Sequence, residues 1–210
     1  MRGGVEYHKQ LDILRRNMER IVCMINRAFA IATRAKVPAG DEGHRNKERS
    51  RIWVEALADE FRSLYSEEKD VRVFSKHCTD NRGDFLLNEL LYDVTVCRVG
   101  SVESAVQRKK LLYVKEALWL VESEFAKSSR QAVVDFNKLV IGSSPCKLFV
   151  GPQVNDIDSF IQVLVPAAAV CRGDVFIALL PHPAVWGTSG ETRPLLWHFA
   201  HGSWRAGLKN

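Results

Sequence analysis

The sequence has no long apolar run, and this absence limits the classes of protein to which it can belong. No stretch of about 18 or more apolar residues occurs, so we expect no membrane-spanning helix. The five cysteines are widely scattered and contain no Cys-x-x-Cys pair, which argues against a disulfide framework and a structural zinc site. The N-terminal residues lack the apolar core of a secretory signal. We therefore expect a cytoplasmic protein without a membrane partner.

Two glycine-rich phosphate-binding patterns are also missing. Neither Gly-x-x-x-x-Gly-Lys-Ser/Thr nor Gly-x-Gly-x-x-Gly occurs, so nucleotide-driven and dinucleotide chemistry are not indicated. The composition is that of a globular protein, because 46% of the residues are hydrophobic and 26% are charged. A chain of 210 residues is long enough for one sizeable domain with additions, or for two small domains.

The positive charge is concentrated in the N-terminal quarter of the chain. The formal net charge is +5, and residues 1–52 contain twelve Lys or Arg against six Asp or Glu. Such a segment suits the binding of a polyanion such as DNA, although a solvated basic helix has the same composition. The candidates for nucleic-acid binding are the four basic residues where a polar linker meets a helix, Arg45, Lys47, Arg49 and Arg51.

The periodicity predicts an α/β (α+β) fold with a central mixed sheet of four to six strands flanked by helices. Helices are predicted over about 5–35, 49–65, 128–140 and 156–171. Strands are predicted over about 71–74, 91–99, 117–125, 147–150, 174–180 and 193–199, and a loop over 181–190. We divide the chain into a basic helix with its linker (1–48) and an α/β domain (49–210). The first helix has a heptad register that would permit a homodimer, but its wide apolar stripe favours packing on the core.

An acidic pattern ends the most apolar strand. Side chains alternate along a strand, so Leu118, Leu120, Glu122 and Glu124 share one face. The two glutamates are ~6.6 Å apart at their α-carbons. Because a buried carboxylate without a partner is costly, such a pair is expected to meet a cation, a hydrogen-bond network or solvent.

A third carboxylate opens the preceding strand. If the strands over 91–99 and 117–125 are neighbours, one register brings Asp93 beside Glu122 and Glu124. Magnesium takes oxygen ligands, usually one or two carboxylates with waters and substrate phosphate, so this arrangement suits it. Glu89 would reach the same place if residues 85–91 are helical or bulged. The alternative interpretation is that these acids are solvated strand ends.

The order helix–strand–strand–strand–helix–strand over about residues 50–150 resembles the core of the PD-(D/E)XK, or restriction-endonuclease-like, nuclease superfamily. In that family an acid at the start of the second strand and an acid-x-lysine on the third strand bind the metal and activate water. Asp93 and Glu122-Ser123-Glu124 match these motifs. The sequence departs from the usual pattern because Glu124 stands at the lysine position, where some restriction enzymes are similar in carrying glutamate.

The resemblance implies a nuclease that acts on DNA with Mg²⁺ or Mn²⁺. Asp93, Glu122 and Glu89 would be metal ligands, and Glu124 would accept a proton from the attacking water. Some family members carry the lysine on the following helix, where Lys138 is the candidate, with Lys115 and Lys127 as further ones. Helix phase points Lys138 away from the core face, which Gln131 and Asp135 flank. A second hypothesis is a catalytically inactive nuclease-fold module for DNA binding or protein assembly, and a third is a dimerisation protein built on the first helix.

Overall fold

The computed structural model describes residues 3–187 and 193–207. Its helices are α1 (Gly3–Arg34), α2 (Glu42–Leu64), α3 (Arg82–Phe85), α4 (Ser129–Ile141), α5 (Ile157–Gln162) and α6 (Val165–Val170), with a 3-10 turn at Pro183–Val185. Its strands are β1 (Val71–Ser75), β2 (Val94–Ser104), β3 (Lys109–Ser123), β4 (Cys146–Pro152), β5 (Asp174–Leu180), β6 (Leu195–Ala200) and β7 (Ser203–Ala206). The loop predicted over 181–190 is described as far as Gly187, and its remainder lies outside the described residues.

The strands form one mixed sheet whose spatial order follows the chain, from β1 to β7. Strands β1, β2 and β3 are antiparallel, β3, β4 and β5 are parallel, and β5, β6 and β7 are antiparallel. The α+β class with a mixed sheet flanked by helices is confirmed, but the prediction of four to six strands is wrong. The seventh strand is a four-residue segment that follows the turn at His201 and Gly202, both of positive φ. A strand this short has too few residues to show alternation.

Helices cover both faces of the sheet. On one face, α1 and α2 pack on β1–β5 through a core that includes Ile21, Ile25, Trp53, Phe61 and Trp119. On the other face, α4, α5 and α6 pack on a second core around Phe136, Phe149 and Phe160. The connections β3–α4–β4 and β4–α5–α6–β5 lie on the same face, as successive crossovers of one hand require. The prediction that the first helix packs on the core is confirmed, because Ile21, Met24, Ile25, Ala28 and Ala32 are buried in it.

Local chemistry explains where two predicted helices differ from those of the structure. Helix α2 begins at Glu42 and not near Arg49, because the Asp41 side chain accepts a hydrogen bond from His44 N at 2.7 Å and caps the helix. The helix predicted over 156–171 is two short helices, because Pro166 cannot donate the backbone hydrogen bond that would continue the first. The division of the chain at residue 48 stays a prediction. Within residues 3–187 and 193–207, no helix is both long and apolar enough to cross a membrane.

Candidate functional site

The predicted acids meet at one end of the sheet. Strands β2 and β3 are antiparallel neighbours, as predicted, and Val94 pairs with Val121. In this register the residue before Val94, Asp93, lies opposite the residue after Val121, Glu122. A register shift at Leu118 places that residue in the core beneath α1 and α2, whereas Leu120 lies in the core beneath α4. Strand β3 ends at Ser123, and the next backbone N–H, that of Glu124, donates to Val150 O at 2.8 Å.

Glu122 is a buried carboxyl group with one unsatisfied oxygen. Its side chain is 3% exposed, and its Oε2 accepts a hydrogen bond from Lys138 Nζ at 3.0 Å. Its Oε1 is buried and has no hydrogen-bond partner. Burial, together with the nearby charge of Asp93, raises the pKa of Glu122 to about 8. A cation beside Oε1 would satisfy this oxygen and favour the ionised carboxylate.

Lys138 reaches the site from α4. Its Nζ lies 3.0 Å from Glu122 Oε2 and 3.0 Å from Asp135 Oδ1. The helix phase leaves Lys138 at the edge of the core face, but its flexible stem extends along that edge to the end of β3. Burial opposes the charged form, yet the hydrogen bonds to both carboxylates raise the pKa of Lys138 above its ordinary value. Because this half-exposed ammonium is shared with Asp135, it does not offset the burial of Glu122. No contact of the described residues brings Lys115 or Lys127 to Glu122.

Asp135 links Lys138 to Glu124. Gln131 Nε2 donates to Asp135 Oδ2 at 2.9 Å. Although burial opposes it, the hydrogen bonds from Gln131 and Lys138 hold the pKa of Asp135 below its usual value. Burial raises the pKa of Glu124, and a hydrogen bond to Asp135 raises it further, although Ala126 N donates to Glu124 Oε1 at 2.6 Å and favours the ionised form. The ionised Asp135 therefore stabilises a proton on Glu124, which is the state that a general base reaches after accepting one.

Two acids from the segment that precedes β2, Glu89 and Asp93, complete the cluster. Asp93 Oδ2 accepts hydrogen bonds from Ser123 N at 2.8 Å and Ser123 Oγ at 2.5 Å. Residues 86–91 are irregular, because α3 ends at Phe85 and the chain has positive φ at Leu86 and Leu91. Burial and then the charge of Asp93 raise the pKa of Glu89, so Glu89 lies within electrostatic range of the site.

The four predicted nucleic-acid-binding residues separate into two pairs. Lys47 and Arg51 line a cavity of about 520 Å³ that also touches Asp93 and Ser123. Arg49 Nη1 donates to Pro183 O at 2.7 Å, which fastens α2 to the 3-10 turn, and Arg45 donates to Gly40 O.

The same cavity contains residues for which sequence analysis gave no role. Lys76 and His77 follow the end of β1, and they reach the cavity because Ser75 pairs with Val94 at the start of β2. The signal available in the sequence was the antiparallel pairing itself, which brings the end of one strand beside the start of the next.

Glycine is required where α4 ends beside the acidic cluster. Tyr92 precedes Asp93, and its hydroxyl donates to Lys138 O at 3.1 Å. A side chain at Gly142 would collide with Tyr92 Oη and Leu120 Cδ1. The glycine therefore lets α4 approach β2 and β3 closely enough for Lys138 to reach Glu122.

No family model matches the chain, and the comparisons with curated proteins and with solved structures give no match either. In the part of the chain that the structure describes, no group of three or more His, Cys, Asp or Glu side chains is arranged to hold a metal ion. The site is thus defined by its own geometry: a buried carboxyl with an unsatisfied oxygen, an adjacent aspartate, a shared lysine and a cavity lined by both basic and acidic side chains.

Proposed function

We propose that the chain is a Mg²⁺-dependent or Mn²⁺-dependent nuclease with a restriction-endonuclease-like core, acting on DNA. The elements α2, β1, β2, β3, α4 and β4 follow the order of that core. The observation that carries the proposal is the buried Glu122, whose Oε1 is unsatisfied and whose Oε2 contacts a lysine from the following helix. Glu122 also lies within electrostatic range of Asp93. This is the combination of acids and displaced lysine that the resemblance implies.

The donor set suits a hard divalent cation. Such ions take carboxylate oxygens and waters, and the buried Oε1 of Glu122 is an oxygen without another partner. Asp93 and Glu122 would hold the ion, and Glu89 is near enough to act through its charge or through a bound water. When bound, the ion would polarise a phosphoryl oxygen and lower the pKa of a coordinated water.

The remaining side chains divide the proton and charge chemistry between them. Glu124 takes the proton of the attacking water, and Asp135 stabilises the protonated Glu124 by accepting its hydrogen bond. Lys138 keeps Glu122 in place and supplies the positive charge that the developing phosphorane needs. The general base and the positive charge thus come from two residues, Glu124 and Lys138. This division fits a motif that has glutamate at the usual lysine position.

The experiment incubates the purified protein with plasmid and labelled linear DNA in Mg²⁺, Mn²⁺ or EDTA. We expect metal-dependent cleavage that Glu122→Gln abolishes and that Lys138→Met lowers by about 10²-fold or more, because a positioned electrostatic group contributes about that much. Glu103→Gln, an exposed acid in β2, is the matched control and should cleave like the parent. Cleavage that survives in Glu122→Gln would refute the assignment.

The second hypothesis, an inactive nuclease-fold module, is favoured by one observation. Ser123 satisfies Asp93 Oδ2, and Lys138 forms ion pairs with Glu122 and Asp135, so part of the acidic charge is compensated within the protein. DNA binding without cleavage in any metal, unchanged by Glu122→Gln, would support the module over the enzyme.

A further inference from the structure

A cavity of about 520 Å³ lies between the N-terminal half of α2 and the ends of β1, β2 and β3. Helix α2 contributes His44, Lys47 and Arg51 to its wall, and the turn after β1 contributes Lys76 and His77. Asp93 and Ser123 also line it, so the cavity reaches the acidic cluster at Asp93. A ligand in the cavity would therefore lie next to Asp93.

Two lysines and a histidine of this wall are available to a ligand, whereas Arg51 is paired with Glu48. In the described residues, no hydrogen bond or ion pair engages Nζ of Lys47, Nζ of Lys76 or the imidazole of His77. The acids of the wall other than Asp93 are occupied: Arg51 Nε donates to Glu48 Oε2 at 2.8 Å, and Glu55 accepts hydrogen bonds from β1 and the turn after it. Within the described part of the chain the two lysines thus form no ion pair, and Glu89 is an acid within electrostatic range of Lys76.

The turn that carries Lys76 and His77 is held from both sides. Glu55 Oε1 accepts from His77 N at 3.0 Å, and its Oε2 accepts from the buried Ser75 Oγ at 2.7 Å. On the other side, Asn88 Nδ2 donates to Lys76 O at 3.2 Å. A turn fixed in this way loses little conformational freedom when its side chains bind an anion, which favours binding.

The dimensions of the cavity fit one nucleotide better than a duplex. A volume of about 520 Å³ is about 8 Å on a side, within the range of small-ligand pockets. The major groove of a DNA duplex is alone about 12 Å wide, so a duplex cannot enter. The imidazoles of His44 and His77 offer flat faces against which an unpaired base can stack.

We infer that the cavity binds one nucleotide of a single-stranded nucleic acid, with its phosphates on Lys47 and Lys76 and its base against His77. The cavity then places that strand beside Asp93. The choice of the bond that is cut rests on the proposed function, whereas binding of the single strand does not. The inference therefore narrows the substrate from DNA in general to a single strand, an end or a flap.

The test measures fluorescence anisotropy in EDTA, where no cleavage can occur, with a labelled single strand of about 12 nucleotides and a blunt duplex of matched sequence. We expect the single strand to bind at least about ten-fold more tightly than the duplex, since stacking of one base contributes that much. Lys47→Ala and Lys76→Ala should each weaken single-strand binding about three- to ten-fold and reduce the log–log salt slope by about 0.7. Lys110→Ala, an exposed lysine at the far end of β3, is the matched control and should leave both unchanged.

The outcomes separate this inference from the proposed function. Equal affinity for the two DNAs, or equal losses in Lys76→Ala and Lys110→Ala, would overturn the inference even if Mg²⁺-dependent cleavage occurs. Single-strand binding that depends on Lys47 and Lys76, without cleavage in any metal, would support the inference and refute the nuclease. A mononucleotide that competes with the single strand better than inorganic phosphate does supports a nucleotide subsite. Equal competition by the two would refute the contact between the base and His77.

Discussion

Replacing Glu122 by glutamine should change the stability of the protein in opposite senses at low and high pH. In the folded protein the carboxyl is buried, and its pKa rises to about 8 from an ordinary value of 4.5. Between these two values the folded state holds a proton that the unfolded state has released. Stability contributed by this group therefore falls as the pH rises from about 4.5 to about 8. Glu122→Gln removes the titration, so the variant should lack this loss.

The magnitude follows from the size of the pKa change. A rise from 4.5 to about 8 corresponds to at most about 5 kcal/mol between the two protonation states. The amide of the variant is itself imperfectly paired in the buried position, which costs about 1–3 kcal/mol. We therefore expect Glu122→Gln to be about 1–3 kcal/mol more stable than the parent at pH 8.5, and equally or less stable at pH 4.5.

Urea unfolding, followed by the fluorescence of the buried Trp53 and Trp119, measures this difference at both pH values. Glu103→Gln, whose side chain is exposed, should show no pH-dependent difference from the parent. Added Mg²⁺ should stabilise the parent at pH 8.5 by favouring the ionised carboxylate, and it should have a smaller effect on Glu122→Gln. A stability difference between Glu122→Gln and the parent that is the same at pH 4.5 and 8.5 would contradict the reasoning.

Three other substitutions test how the fold supports the site. Lys147 is wholly buried in β4 with an unpaired Nζ, and burial lowers its pKa. Lys147→Met should therefore raise the free energy of unfolding by about 1–3 kcal/mol. Because the unfolded state binds this proton more readily, the stability of the parent should rise towards pH 10, and the variant should lack that rise. Gly142→Ala should cost about 1–3 kcal/mol in urea unfolding because the new methyl group meets Tyr92, whereas Gly83→Ala, with open space around it, should not. Arg49→Ala should lower the thermal unfolding temperature by loosening the 3-10 turn but leave the salt dependence of DNA binding unchanged. A lower salt slope in that variant would instead make Arg49 a phosphate contact.

The elements of the fold could be predicted because their signals are local. Helix α1 follows from apolar residues at spacings of three and four, and α4 follows from the same pattern after the cap at Ser128. The adjacency of β2 and β3 also follows, since strands joined by a short polar connection usually pair. The break between α5 and α6 should have been expected from Pro166, but an apolar pattern that continued past the proline outweighed it.

The site could be predicted only in part, because its contacts depend on side-chain reach and on tertiary packing. Strand alternation placed Asp93 with Glu122, and it needed only the pairing of two strands. Helix phase could not show that Lys138 extends to Glu122, because phase fixes the direction of the Cα–Cβ bond and not the position of the end of a long side chain. The turn at Lys76 and His77 was beyond sequence analysis, because Glu55 fixes it from a different helix.

The distribution of charge around the site shows why an external cation is needed to complete it. Five carboxyl groups make up the cluster: Glu89, Asp93, Glu122, Glu124 and Asp135. The ammonium of Lys138 contacts two of them, Glu122 and Asp135. Burial, and after it their mutual repulsion, raise the pKa of Glu89, Glu122 and Glu124. The pKa of Glu122 rises to about 8, so this carboxyl holds a proton near neutral pH that a divalent cation would displace. Lys47 and Lys76 line the same cavity as Asp93, and among the described residues they form no ion pair. A metal on the acids and phosphates on these lysines would satisfy both sets of charges at once, so we expect metal and nucleic acid each to bind more tightly in the presence of the other.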